Sequence, residues 1–359
     1  MTDWALYVAD TGGDAIGELA GATGRTVTFK LDGPPEASWS VNGLHPDAAV
    51  LDELTTDIYV RWGGRTVERL RTGASQDTIG ADGHTCSFGA VGYRGLLERR
   101  ATFQALTYTG VDIADIAWDL VDYTQNRVGL AGGPVGISQG RSPSIADVNH
   151  VVPEDKQIAE AINDLAGLGF GRGFDWEISS DLEFNVWERR GTDRDFVAEY
   201  GSNVVAVTRS VDTAEYANAV RSSGADGVAS STAAAVDLAS RPEGRMEAHL
   251  SNTDLTTTAT VTATAASELV RHGNIVPSYV MTMAPGAWSP DLLWLGDSAT
   301  FVVQSGRLNV VGRDRVVEVA VSIGDDGGET VELTFGTRRL DMITLFRRSA
   351  ARLESLSRR

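Results

Sequence analysis

The chain has 359 residues, 42% hydrophobic and 22% charged, with a formal net charge of −18 and one cysteine. This is ordinary globular composition, which excludes wholesale disorder, and the length allows two or three cores of roughly 100–150 residues. The acidic balance argues against an outer surface that grips nucleic acid, and a lone Cys86 excludes intrachain disulfides and argues against a thiolate metal site.

No apolar run approaches the ~18 residues of a membrane span, and MTDWALYVAD carries no basic region followed by an apolar core. The expectation is a chain that neither inserts in a membrane nor uses a signal peptide. Charge is uneven: beyond residue 337, seven Arg stand against Asp341 and Glu354, a local +5 that leaves −23 on the remainder.

Residues 1–103 read as all-β. Trp4, Leu6 and Val8 alternate, as do Val27, Phe29 and Leu31, and a period of two gives a strand one dry face. The run 57–62 enters Gly63-Gly64 and 66–70 leaves it, a hairpin whose glycines supply positive φ. A further strand over 84–91 ends at the Gly92–Leu97 segment. Short strands separated by frequent turn signals predict a barrel or sandwich.

Character changes after Phe103. The spacing predicts a helix over 112–125, with Ile113, Ile116, Leu120 and Val121 on one face and Asp112, Asp115, Asp119 and Asp122 on another. A Gly- and Ser-rich loop follows over 129–144. A second helix is expected from Pro153, with Glu154 and Asp155 in its first turn and Ile158, Ile162 and Leu165 as its stripe. Gly167 and Gly169 stop it. Phe174, Trp176 and Ile178 alternate, then Leu182, Phe184 and Val186 return, giving a hairpin packed on a helix.

From 203 to 209 the pattern is strand again, with 218–222 as its expected partner. Thr content over 257–271 favours strand, yet Ala259, Ala263, Ala266 and Val270 keep helical spacing between Asp254 and Gly273, and a helix is predicted. The clearest signal is an antiparallel meander in 288–336. Strands at 301–303 and 308–311 precede Val317, Val319, Val321 and Ile323, and Val331, Leu333 and Phe335 follow the Asp325–Gly328 turn. A last helix is expected over 340–356, where Ile343, Phe346, Ala350, Leu353 and Leu356 fall three or four apart with Arg347, Arg348 and Arg352 on or beside the other face.

The motifs that could carry chemistry are weak. Gly136-Ile-Ser138-Gln-Gly140 matches the serine-hydrolase elbow, but neither a strand before it nor a helix after it is expected, so a flexible glycine loop is the better reading. Gly167–Gly173 leaves a helix and enters a strand, the reverse of a phosphate cradle. The four aspartates read as a solvated helix face, and Glu177 and Glu183, an acid/base pair in outline, as solvent-side charges on a hairpin. The five histidines show no ligand spacing, and Cys86 reads as an inert core thiol. No catalytic, cofactor or metal residue is assigned. The C-terminal helix stands apart, because its basic face is opposite in sign to the body; Ile343, Phe346, Arg347, Leu353 and Leu356 are its candidate partner-docking residues.

Taken together, several segments carry a family likeness. They are the opening strand Trp4–Val8, Ser38-Trp39-Ser40-Val41 with His45-Pro46-Asp47-Ala48, Thr56–Val60, Gly92-Tyr93-Arg94-Gly95-Leu96-Leu97, Gly173–Ile178, Trp187–Gly191 and Trp288–Asp297. With them the chain resembles the gp27-like baseplate-hub minor tail proteins of actinobacterial siphophages, the family that also forms the N-terminal part of tail-associated lysins. The resemblance implies a mainly β fold with an α+β insertion, built on two tail-tube-like antiparallel β-barrels. The first barrel would cover 1–103, the α+β domain 104–200 joined by 225–275, the second barrel 201–224 and 276–338, and the docking helix 339–359. It also implies a homotrimeric virion ring beneath the distal tail protein or tail tube, beside other tip or fibre proteins. The lumen would take the tape measure protein and DNA in transit. Relatives that carry a lysin place it after the hub, and the chain's end at Arg359 leaves no room for one, so a structural role without enzymatic activity is expected. An envelope hydrolase using Ser138 or the Glu177/Glu183 pair is the alternative.

Overall fold

The computed structural model describes residues 4–9, 15–81, 83–126, 135–167, 173–211, 213–214, 216–251, 257–273, 277–324 and 327–336. They form two compact units, one of Met1–Val207 with Val280–Phe335 and one built on Thr208–Tyr279.

The first unit is mainly β. Strands β1 (Trp4–Ala9), β2 (Ala15–Glu18), β3 (Thr23–Lys30), β4 (Glu36–Asn42), β5 (Asp57–Trp62), β6 (Arg65–Gly80) and β7 (Gly83–Gly92) follow the alternation, burying Trp4, Leu6, Val8, Val27 and Phe29. Gly63 and Gly64, at φ 54° and 80°, turn β5 into β6. The segment after β7 is a short helix, α1 (Tyr93–Leu97).

The insertion comprises β8 (Leu106–Asp112), α2 (Ile113–Asn126), β9 (Ser138–Gln139), β10 (Asp147–Val152), α3 (Ile158–Gly167), β11 (Asp175–Ile178) and β12 (Glu183–Trp187). Its core joins the stripes read from the sequence: Ile116 and Leu120 of α2, Ile158, Ile162 and Leu165 of α3, and Trp176, Phe184 and Val186 of the hairpin. Asp112 caps α2, its Oδ1 accepting the Ala114 N–H at 2.9 Å. The helix expected from Pro153 begins at Ile158. Asp155 takes φ 58° there, and Thr102 holds the turn by accepting from Asp155 N–H at 2.9 Å and, through Oγ1, from Lys156 N–H at 3.0 Å. Within the expected glycine loop, Ser138 and Gln139 instead form β9, a parallel partner of β12.

Strands β13 (Asp193–Glu199) and β14 (Val204–Ser210) lead to the second unit. There β15 (Ala219–Ser223) lies between β16 (Ser231–Ala234) and β17 (Glu247–Ser251), under helix α4 (Thr258–His272). Two expectations are corrected here. The 218–222 strand pairs with β16 and β17, whereas β14 neighbours β18 (Ser278–Met283). α4 does form, with Thr257 as its N-cap, but it buries Val261 and Ala265 and leaves Val270 exposed. An alanine-rich helix carries more than one stripe of helical period, and packing on β15 and β16 selects the one with Val261 and Ala265.

After β18 come β19 (Ser298–Ser305), β20 (Leu308–Ile323) and β21 (Glu329–Phe335). The strands expected at 308–311 and 317–323 are one strand of 16 residues. Its first half pairs with β19 (Val310↔Val303), and in its second half Val319 faces Leu333 of β21 on one side and Phe29 of β3 on the other. β20 thereby fuses the N-terminal strands and the meander into a sheet of 13 described strands. Its order is β14-β18-β21-β20-β3-β4-β7-β6-β5-β1-β2, with β13 parallel to β19 beside β20. From the connection before β19, Trp288 stacks on Trp4 at 6.5 Å and Trp294 meets Phe29 at 4.8 Å, so this stretch seals the core of the N-terminal strands. The helix expected over 340–356, with Ile343, Phe346, Arg347, Leu353 and Leu356, lies outside the described residues.

Candidate functional site

A polar cleft lies where α1, β6 and the β11–β12 hairpin converge. A cleft of about 110 Å³ there is lined by Glu68, Arg94, Glu177, Arg190 and Trp294. Arg94 is buried at 5% exposure. Its Nη1 donates to Leu31 O and Trp176 O at 3.0 Å each, its Nη2 to Asn163 Oδ1 at 3.0 Å, and its guanidinium lies 3.9 Å above the Trp176 ring. Burial pulls the Arg94 pKa down to about 10, against the pull of nearby carboxylates.

Arg190 pairs with Glu177 at 2.5 Å. Burial raises the Glu177 carboxyl, opposed by Arg190 and Arg94. Across the cleft, burial and then the Glu177 charge push Glu68 up to about 8. Two neighbouring carboxyls, both raised by burial, resemble an acid/base pair in outline. At about 110 Å³ the cleft is well below the ~300–1,000 Å³ typical of ligand pockets, so it is better suited to fastening the insertion to the sheet.

A second network sits beside it. Asp57 is fully buried and is met by Arg69 (Nη2–Oδ2 2.6 Å), by Arg71 through Nε and by the Tyr93 hydroxyl (2.7 Å), which also accepts from Arg71. A buried carboxylate requires such partners. Burial and the hydrogen bond to Asp57 push the Tyr93 pKa up to about 12. The residues of the 92–97 segment thus act as a lock, with Tyr93 on the sheet and Arg94 on the insertion.

The motifs singled out in the sequence are dispersed. Ser138 leads from β9 into an irregular stretch that reaches β10 with no helix after it, so the elbow geometry is not met. Glu177 faces Asn185 across the hairpin while Glu183 faces Ser138, so these two glutamates are not opposite one another. Three of the four aspartates on or before α2 are engaged separately. Asp112 accepts from Ser144 and Ile145, Asp119 from Tyr108 Oη at 2.6 Å, and Asp122 from Asn126 at 2.6 Å. The Glu68–Glu177 approach had no sequence signal, because the two glutamates lie 109 positions apart in unremarkable strands.

No family model matches the sequence, and no curated protein is similar to it at a significant level. In structure the chain is similar to the tail protein from Neisseria meningitidis MC58 (TM-score 0.64, 12% identity, covering 92% of this chain and 96% of that one). It is similar to the same degree to the 43 kDa tail protein of prophage MuSo2 from Shewanella oneidensis (0.65, 13%, 92% and 97%). The prophage tail protein gp18 from Listeria monocytogenes EGD-e gives 0.61 at 11% identity, over 98% of this chain and 99% of that one. The chain therefore has the fold of phage tail proteins.

Proposed function

We propose that this protein is a structural, non-enzymatic baseplate hub at the tail tip of a long-tailed phage. In this reading it is a homotrimer whose ring adapts the sixfold tail tube to a threefold tip and encloses the channel for the tape measure protein and then DNA. The observation that carries the reading is the shared fold over nearly the whole length of this chain and of three tail proteins. Two physical features agree with it. Among the described strands, β2 and β14 end the sheet order with one neighbour each, and a closed ring hides such edges. The net charge of −18 suits a lumen that must release DNA and not hold it.

The protein belongs, on this reading, to the virion and is assembled in the host cytoplasm, between the distal tail protein or tail tube and the other tip or fibre proteins. Ile343, Phe346, Arg347, Leu353 and Leu356 are the residues we propose for docking one of those proteins. Mass measurement in solution and cryo-EM of the tail tip test the ring. Three copies around the axis are expected; six copies, or a lone monomer on the axis, would overturn it. Cell-wall or ester hydrolysis by the purified chain that is lost in Ser138→Ala would favour the hydrolase instead.

A further inference from the structure

The long β6–β7 hairpin sets Asp77 of one strand against His84 and Cys86 of the other. Asp77 and Cys86 are direct cross-strand partners, and His84 lies two residues from Cys86 on the same face. Cys86 Sγ is 2.7 Å from Asp77 Oδ1, His84 Nε2 is 3.2 Å from the same oxygen, and Sγ and Nε2 are 3.5 Å apart. All three donor atoms lie within 4.8 Å of one another.

We propose that Asp77, His84 and Cys86 form a zinc site. Ordinary zinc bond lengths at tetrahedral angles put sulfur and nitrogen about 3.6 Å apart, nitrogen and oxygen about 3.3 Å, and sulfur and oxygen about 3.5 Å. Two of the three edges are already at those lengths. The third is shorter because a thiol S–H bridges Cys86 to Asp77, and it opens by under ~1 Å once that proton is replaced by metal. Asp77 is 64% exposed and free to make the adjustment, whereas Cys86 is buried and fixed.

A second feature supports the His84 position. A Cβ on Gly43 would fall 2.3 Å from His84 Nδ1, so only glycine at 43 admits the imidazole there, and the Gly43 N–H donates to His84 O at 2.9 Å. One sulfur, one nitrogen and one oxygen donor fit borderline Zn²⁺ better than hard Mg²⁺ or Ca²⁺. The fourth vertex is water, on the exposed Asp77 side. Binding releases the Cys86 proton to solvent and no electron is transferred. The bound ion ties the outer parts of β6 and β7 together.

The test uses the full chain made without a polyhistidine tag, loaded with Zn²⁺ or Co²⁺ and then desalted. One zinc per chain is expected. Cobalt should give the intense visible bands of a tetrahedral site and a thiolate charge-transfer band that Cys86→Ser removes. Asp77→Asn, at an exposed position that leaves folding unchanged by circular dichroism, should lower zinc affinity by ~10-fold or more. The proposal is overturned if the wild-type chain retains no zinc, if its cobalt form lacks the thiolate band, or if Asp77→Asn binds as tightly. Should Cys86→Ser fail to fold, the wild-type cobalt spectrum and Asp77→Asn decide the matter alone.

Discussion

Gly191 and Gly296 meet back to back. Both hold left-handed backbone, at φ 85° and 84°; a Cβ on Gly191 would lie 2.1 Å from Gly296 C, and one on Gly296 would lie 2.5 Å from Arg190 O. The contact brings the link between β12 and β13 against the Trp288–Asp297 connection. Asp297 reinforces it by accepting from Thr192 N–H at 2.8 Å and Arg194 Nε at 2.9 Å. Gly296→Ala should destabilise the chain by about 2–5 kcal/mol, from ~1–2 for the positive φ and ~1–3 for the backbone clash. Gly306→Ala is the control, since Gly306 has φ 54° but open space around it, and should cost only ~1–2 kcal/mol. Urea denaturation of the two variants checks the difference; equal losses would mean that the contact carries nothing beyond backbone conformation.

Arg94 supplies the second prediction. Its guanidinium satisfies two buried carbonyls and Asn163 at once while lying over Trp176. Arg94→Ala takes the guanidinium donor from the Leu31 and Trp176 carbonyls, leaves Asn163 Oδ1 with only the Trp176 indole N–H, opens a cavity, and should cost about 3–5 kcal/mol. Arg94→Lys should recover little of it, because an ammonium cannot reproduce the planar fork. Full recovery in the lysine variant would show that charge alone matters at this position.

The parts of this fold that could be read in the sequence are those where one face of an element is dry. Ile116, Leu120, Ile158 and Ile162 announced α2 and α3, and Val319 and Leu333 announced the meander, because burial imposes the period. The parts that could not be read depend on distant residues. β8 and β10 bury only part of their apolar side chains, so their alternation is weak against a polar background, and β9 exists because β12 offers it an edge. The polar cleft was invisible for the same reason. Glu68, Arg94 and Glu177 come from three elements, and no local spacing encodes their meeting. Asp77, His84 and Cys86 belong to a register that only the paired hairpin reveals.

The proposed docking helix yields a prediction from sequence. Its stripe of Ile343, Phe346, Leu353 and Leu356 carries roughly 1.5–3 kcal/mol per large side chain when covered, and a helix of this length is marginal alone in water. Removing residues 340–359 should leave a folded ring that no longer recruits its neighbour at the tip. Pull-down of tip components with the truncated and full chains checks this. An unfolded truncation, or one that still builds a complete tip, rules out a docking role.

The last prediction concerns pH and follows from Glu68. Its carboxyl is pushed from the ordinary 4.5 up to about 8, first by burial and then by the Glu177 charge. Between those values the folded chain keeps a proton that the unfolded chain has released. This contribution to stability is therefore complete below pH ~4.5, declines as pH rises toward ~8, and is flat above that. Glu177, raised in the same direction by burial, adds to the slope. Glu68→Gln keeps the neutral shape of the folded state and removes the titration, so it should flatten the decline and stabilise the chain relative to wild type at about pH 8. Urea midpoints for both proteins at about pH 5 and about pH 8 provide the check. If the two midpoints shift in parallel, Glu68 is already ionised in the folded chain, and the cleft is wetter than its burial implies.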